Sequence, residues 1–375
     1  MRIALLGTRG IPARYGGFET FAEELSTRLV ERGHHVTVYC RAPYPEQSYR
    51  GVTLRYLPTI RHKYLDTIAH TAISTTDLLF RRFDVALYCN AANAVFTWSP
   101  RLAGMPTALN VDGLERHRKK WNKVAKLWYL ISEWLSTFCC TRVVSDAERI
   151  REYYFERYGK ESLFIPYGAE IGAVPGTDIV RSLGLEPREY FLYVSRLEPE
   201  NNALLVRRCF EKVQTDRKLV IVGDAPYAAE YIARVRDTRD PRIVFPGAIY
   251  GEGYGQLQSH CHAYIHATEV GGTHPALIEA MGRGALVLYL ENPENDEVTS
   301  GSAIPFTENT LIQKLQWATE ASEEERDKWG RRAQARIRDR YSWSAVTSQY
   351  EELFRSMVRD KSRPRNKGPR SGGLS

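Results

Sequence analysis

Short apolar runs alternate with amphipathic stretches along this chain, and the series runs twice; no other feature constrains the fold as much. In the first half the runs fall at 2–7, 35–40, 53–57, 84–89, 107–111, 142–145 and 163–166. Between them lie helical patterns such as 19–31, where Phe21, Leu25 and Leu29 are four apart and Arg32-Gly33 supplies a basic last turn and a glycine stop. A strand–helix–strand rhythm predicts a mostly parallel sheet with helices on both faces. Residues 169–187 are rich in Gly and Pro and read as a linker with one short helix. A second series follows at 190–194, 218–222, 242–245, 263–266 and 285–290, and 308–360 reads as helical. The expected architecture is α/β, with two Rossmann-like halves joined near residue 175.

At 375 residues the chain is long enough for two cores. Its 43% hydrophobic and 26% charged content excludes collagen-like, disordered and disulfide-scaffold classes. A net charge of +7 favours anionic partners, but no helix-turn-helix, RNP or zinc-finger pattern points to nucleic acid. The cysteines at 40, 89, 139, 140, 209 and 261 form no C-x-x-C pair and lie in apolar runs, so reduced, buried thiols are expected. The apolar part of the opening MRIALLGTRG is too short for a signal peptide, and no apolar run is long enough to span a bilayer. Residues 361–375 are basic and rich in Gly, Pro and Ser; they read as a disordered tail, either solvated or touching anionic lipid.

Two segments put an anion site at a strand-to-helix turn. The first strand runs into GTRGIPARYGGFE, where Gly16 and Gly17 precede a helix and let a phosphate approach backbone N–H groups and the helix dipole. The spacing is neither G-x-G-x-x-G nor a P-loop, and such a turn is as often structural. The second, HATEVGGTHPALIEAMGRGALVLYL, reads strand, Gly-Gly-Thr loop, helix, Gly, strand. Pro275 suits a first helical turn and Thr273 or His274 its cap. Glu279, one turn further in, suits the paired hydroxyls of a ribose; a capped helix with a surface Glu is the plain alternative.

The second string resembles the nucleotide-sugar signature of glycosyltransferase family 4, which has the GT-B fold. Other segments line up in order: YGGFETFAEELSTRLVERGHHVTVYCR with the family's phosphate loop and helix, FIPYGAE with the turn before its linker, and FLYVSRLEPEN with the start of its second domain. KLVIVGD and RIVFPGAI resemble its next strands, and RYSWSAVTSQYEELF its closing helix. The strings GTRGIPARYGGFE, NVDG and RLEPEN are similar to a bacterial rhamnosyltransferase-like subgroup of capsule, O-antigen and exopolysaccharide assembly.

The resemblance implies an acceptor-side domain at 1–172, a nucleotide-sugar domain at 173–340, a helix at 341–360 crossing back to the first domain, and the tail. It implies transfer from a dTDP- or UDP-sugar to a lipid-linked or growing polysaccharide, with retention of configuration. No D-x-D metal motif occurs, and no cofactor or metal is expected. Gly16 and Gly17 would approach the phosphates, Arg196 would pair with them, and Gly271, Gly272 and Thr273 would hold phosphate or sugar, the last two through backbone amides. Glu279 would grip the ribose. Where the family carries two Glu eight positions apart, Gly271 stands at the earlier one, which fits a deoxy sugar; Glu269 lies two residues before it. The family's phosphate-binding Lys is here Asn201, and Asp112 of NVDG is the counterpart of its first-domain His, touching donor sugar or acceptor.

The acceptor side centres on 112–140. Trp121, Val124, Trp128, Ile131, Leu135 and Phe138 follow three-four spacing on one expected helix face, with Lys119, Lys123 and Lys126 opposite. Such a helix suits an anionic bilayer surface; a core helix with solvated charges is the other reading. Arg116, Arg118, Lys119, Lys120 and Lys123 are the expected contacts to lipid or acceptor phosphate, giving a protein peripheral at the inner face of the cell membrane. Competing readings are a non-catalytic nucleotide-sugar binder, a nucleotide-sugar epimerase and an NAD-linked oxidoreductase. The second strand ends Tyr39-Cys40-Arg41 without the acid that NAD binding wants.

Overall fold

The computed structural model describes residues 1–362 apart from 14–15, 61, 63–64, 115, 117–121 and 226–227. The first lobe is built from β1 (Arg2–Leu6), α1 (Gly17–Glu31), β2 (His35–Cys40), β3 (Ser48–Tyr49), β4 (Val52–Tyr56), α2 (Asp66–Leu79), β5 (Val85–Cys89), α3 (Trp98–Leu102), β6 (Thr107–Asn110), α4 (Lys123–Cys139), β7 (Arg142–Ser145), α5 (Glu148–Tyr158) and β8 (Leu163–Phe164). After α6 (Asp178–Ser182) the second lobe runs through β9 (Tyr190–Val194), α7 (Ala203–Phe210), β10 (Lys218–Val222), α8 (Ala229–Arg236), β11 (Ile243–Gly247), α9 (Gly251–His260), β12 (Ala263–His266) and α10 (Pro275–Gly282). It continues with β13 (Val287–Leu290), α11 (Pro293–Thr299), β14 (Ile304–Phe306), α12 (Leu311–Glu320) and α13 (Glu323–Arg340), and α14 (Trp343–Ser362) closes the chain.

The sheets have orders β3-β4-β2-β1-β5-β6-β7-β8 and β11-β10-β9-β12-β13-β14. Every pairing is parallel except the β3–β4 hairpin. Strand order reverses beside β1 in one sheet and beside β9 in the other, and ligands of open parallel sheets bind beyond the strand ends at such points. Right-handed crossovers put α1 on one face of the first sheet and α2 to α5 on the other. Phe21, Leu25 and Leu29 of α1 are buried in the core that spans both lobes; burying side chains of this size contributes about 1.5–3 kcal/mol each.

α14 lies across α1. The Phe21 and Tyr350 rings are 5.3 Å apart, Asn110 Nδ2 donates to the Tyr350 hydroxyl at 2.9 Å, and Arg32 pairs with Glu351 at 3.0 Å. α14 includes 361 and 362, which the sequence assigns to the tail; 363–375 lie outside the described residues. All six cysteines are buried and free, and burial pushes the Cys140 and Cys261 thiols up to about 12.

The helix of the acceptor side corrects one of its two sequence readings, that of a core helix with its apolar stripe buried. α4 buries Tyr129, Ser132, Glu133, Ser136 and Cys139, while Val124, Ile131 and Phe138 face solvent. Polar residues fill the buried side because Glu133 has partners there: Arg116 pairs with it at 3.1 Å and the Tyr153 hydroxyl donates to it at 2.9 Å. Arg116 is thereby turned inward, away from lipid or acceptor phosphate. Lys123 is exposed. Arg118, Lys119, Lys120 and Trp121 lie outside the described residues.

Candidate active site

Loops from the C-terminal ends of both sheets enclose a cleft of about 1570 Å³. Gly16, Gly17, Asp112, Arg196, Asn201, Gly271, Gly272, Thr273 and Glu279 all line it. Two helix N-termini meet there: a Cβ on Gly17, the first residue of α1, would lie 2.9 Å from Cγ of Pro275, the first residue of α10. A Cβ on Gly113 would sit 2.9 Å from the Gly271 carbonyl carbon, and one on Gly272 would collide with the Asp146 carboxylate. Glycine at these positions lets the lobes touch through backbone, and each helix end brings a partial positive charge to the same place; on α10 Pro275 has no N–H and the Leu277 and Ile278 amides bond the His274 carbonyl.

Arg196 is half-buried, and Glu198 lies 3.9 Å from its guanidinium. Asn201 spends one side-chain N–H within the protein, whereas the sequence reading gives it to the donor. It is buried, its Nδ2 donates to the Arg196 carbonyl at 2.6 Å, and its own carbonyl accepts from the Tyr193 hydroxyl. The Asn201 amide thus fixes the loop carrying Arg196. Arg41 is spent on Asp66 at 2.8 Å, and Arg283 donates to the Gly172 carbonyl at 3.0 Å.

Thr273 is also corrected. Its amide donates to Asp146 Oδ2 at 3.0 Å and its hydroxyl to the Asp146 carbonyl, so neither is open to a donor, and α10 is capped at His274 without a side-chain bond. Asp146 follows β7 directly and is fully buried. Burial pushes its carboxyl well up, and the like charge of the Asp112 carboxylate adds to the shift. Asp112 sits at φ +56°, a conformation Asp tolerates better than most residues; its amide donates to Asn110 Oδ1 at 3.0 Å.

Glu279 is half-buried on α10. Burial raises its pKa, while the Tyr254 hydroxyl, donating at 2.8 Å, and Arg283 oppose the rise. Glu269 accepts from Asn202 Nδ2 at 2.9 Å. Glu200 and His266 were not singled out in the sequence. Glu200 is 1% exposed, lines the cleft, and neither carboxylate oxygen has a hydrogen-bond partner among the described residues. The Glu269 amide donates to the Glu200 carbonyl at 3.0 Å, setting it beside the loop that leads to Gly271. Burial holds His266 down at about 3, so it is neutral. Among the described residues no group of three or more His, Cys, Asp or Glu is arranged to hold a metal ion.

Residues 15–169 match the family model Glycosyltransferase Family 4, and residues 188–319 match Glycosyl transferases group 1. No curated protein matches the chain in sequence. Among solved structures, sucrose-phosphate synthase from Thermosynechococcus elongatus superposes with a TM-score of 0.79 at 18% identity, over 96% of this chain and 99% of that one. HepE from Anabaena, solved with UDP and glucose, gives 0.77 at 16% identity, over 95% and 100%. A glycosyltransferase from Rickettsia africae gives 0.70 at 13%, over 96% and 99%. These likenesses establish the GT-B fold, and with a glycosyltransferase model matching each lobe the chain is a glycosyltransferase of the family 4 type.

Proposed function

We propose that the cleft binds a nucleotide sugar, a dTDP- or UDP-sugar with rhamnose as the favoured glycosyl group, and transfers the sugar with retention to a lipid-linked or growing polysaccharide acceptor. The observation that carries this reading is the meeting of two helix N-termini, at Gly17 and Pro275, in one cleft with the half-buried Arg196. Charge grows on the leaving diphosphate as the C1–oxygen bond breaks, and a fixed guanidinium with backbone N–H groups stabilises that charge. No metal is required for that work in this reading. The acceptor hydroxyl attacks C1 from the same face, and its proton passes to the departing phosphate oxygen.

Gly16, Gly17, Gly271 and Gly272 approach the phosphates and sugar, and Glu279 holds the ribose. Asp112 faces sugar or acceptor, with Asn201 and Thr273 as positioning residues. HepE was solved with UDP-glucose, which supports a nucleotide-sugar partner here. The acceptor lies at the inner face of the cell membrane, and the protein is peripheral to it.

A thermal-shift panel of UDP-, dTDP- and GDP-sugars tests the donor, because stabilisation follows affinity by mass action. Transfer to a lipid-linked saccharide, with and without chelator, tests the rest. No shift with any nucleotide sugar, or activity lost to chelator and restored by manganese, overturns the reading.

A further inference from the structure

α4 is amphipathic the wrong way round for a helix that covers a sheet and faces water. Its solvent side carries Val124, Leu127, Ile131, Trp134 and Phe138, at 41–76% exposure. Steps of three and four residues line these five up as one stripe. On the same lobe Trp98 and Leu102 of α3 are exposed, as is Phe80 past the end of α2, at 87%. Arg101 of α3 ties the two helices together by donating to the Phe138 and Cys140 carbonyls. A single exposed leucine is ordinary in a soluble protein, but five large apolar side chains in one stripe mark an interaction surface.

We propose that this face docks on an anionic lipid bilayer. Lys123 and Lys126 are exposed at the start of the stripe, and the only acid of α4, Glu133, is buried. The exposed side of α4 is therefore apolar and cationic, with no acid on it. That composition fits acyl chains beneath anionic headgroups, with Trp98 and Trp134 at the depth where indoles settle. It fits a second copy of the chain poorly, since lysines would then meet lysines or apolar surface. Among the described residues no helix is long and apolar enough to cross a membrane, so α4 lies in the plane of the interface. Tyr129, on the buried side of the same helix, lines the cleft. Docking through the opposite side brings the cleft close to the headgroups. The inference rests on the reading of a membrane-carried acceptor and adds the surface that reaches it.

The test is flotation of the full chain with phosphatidylcholine vesicles holding about a third phosphatidylglycerol, a composition that gives a negative surface potential. The wild type floats and is released by salt. Ile131→Glu with Trp134→Glu lowers vesicle partitioning at least about tenfold, and Lys123→Glu with Lys126→Glu weakens it on anionic vesicles only. Thermal shifts by nucleotide sugars are the same in all three proteins. A wild type that stays with the soluble fraction overturns the proposal, as does equal flotation of the apolar-stripe variant. A wild-type dimer split by Trp134→Glu, with no vesicle binding, assigns the face to self-association and also overturns it. Flotation without any nucleotide-sugar shift sustains the docking surface and defeats the donor reading instead.

Discussion

Asp146 and Thr273 join the two lobes across the cleft: the Thr273 amide donates to Asp146 Oδ2 at 3.0 Å. The other side of the Asp146 carboxyl meets the Asp112 carboxylate, and both effects of that setting, burial and a like charge, favour the neutral acid. A carboxyl whose folded pKa is raised contributes fully below its unfolded value, near 4, and its contribution is lost as pH rises through the folded value. Asparagine has the right valence for the site, with an acceptor for the Thr273 amide and an N–H for Asp112. Asp146→Asn is expected to raise the melting midpoint at pH 8 and to change it little at pH 4. Relieving a buried polar mismatch is worth about 1–3 kcal/mol, or roughly 1–2 °C per kcal/mol for a chain of this size. Melts of both proteins across that pH range decide it; parallel curves would refute the assignment.

Arg196 carries the leaving-group charge in the proposed reaction. Arg196→Ala should lower turnover at least about a hundredfold, the scale for losing one preorganised donor, with little change in melting midpoint because the side chain is partly exposed. Asn201 acts through it. Asn201→Asp puts an acceptor against the Arg196 carbonyl and should cost more than Asn201→Ala, which loses one neutral hydrogen bond, about fivefold. Single-turnover transfer by the three variants provides the comparison, and a near-normal rate for Arg196→Ala removes it from the mechanism.

The parts of the fold that are legible in the sequence are the central parallel strands. Arg142–Ser145, Tyr190–Val194, Lys218–Val222 and Ala263–His266 are read with the bounds they have in the structure, because strands buried on both faces are continuous apolar runs. β3 has two residues and β14 has three with a proline among them, too short to make a pattern. Periodicity located the α4 helix but not its buried side. That side depends on Arg116, Tyr153 and Tyr158 converging on Glu133, a tertiary fact with no local trace. The site glycines were legible from strand–turn–helix grammar. Asp146 left a weaker signal, an acid at the C-terminal end of a parallel strand, and Glu200 left none, since only burial distinguishes it from the acids beside it.

Glu351 fastens α14 to the first lobe. Arg355 hydrogen-bonds to it, with His34 and Arg32, and its pKa is held down at about 2. A depressed carboxylate contributes stability above its unfolded pKa, near 4.5, and loses it as pH falls toward the folded value. Glu351→Gln is therefore expected to lose on the order of 1–3 kcal/mol at pH 7, with the difference from wild type closing between about pH 4.5 and 2. Urea unfolding at pH 7, 4 and 2.5 measures it, and a constant difference would show that the contact is packing alone.

Glu200 should trade stability for binding. A buried carboxylate with both oxygens unpartnered destabilises the free protein by about 1–3 kcal/mol or more, and a ligand hydroxyl reaching it recovers that energy on binding. In the proposed reading, its place beside the loop leading to Gly271 sets it near the donor sugar. Glu200→Gln removes the charge and keeps the shape. The melting midpoint of the free variant should rise, as replacements at strained functional positions commonly do. Its affinity for the preferred nucleotide sugar should fall about tenfold, the worth of one charged hydrogen bond, while affinity for the bare nucleoside diphosphate stays the same. Titration calorimetry with both ligands separates the cases: an equal loss for sugar-bearing and bare nucleotide would move Glu200 to the nucleotide end of the cleft, and no loss for either would leave it without a ligand.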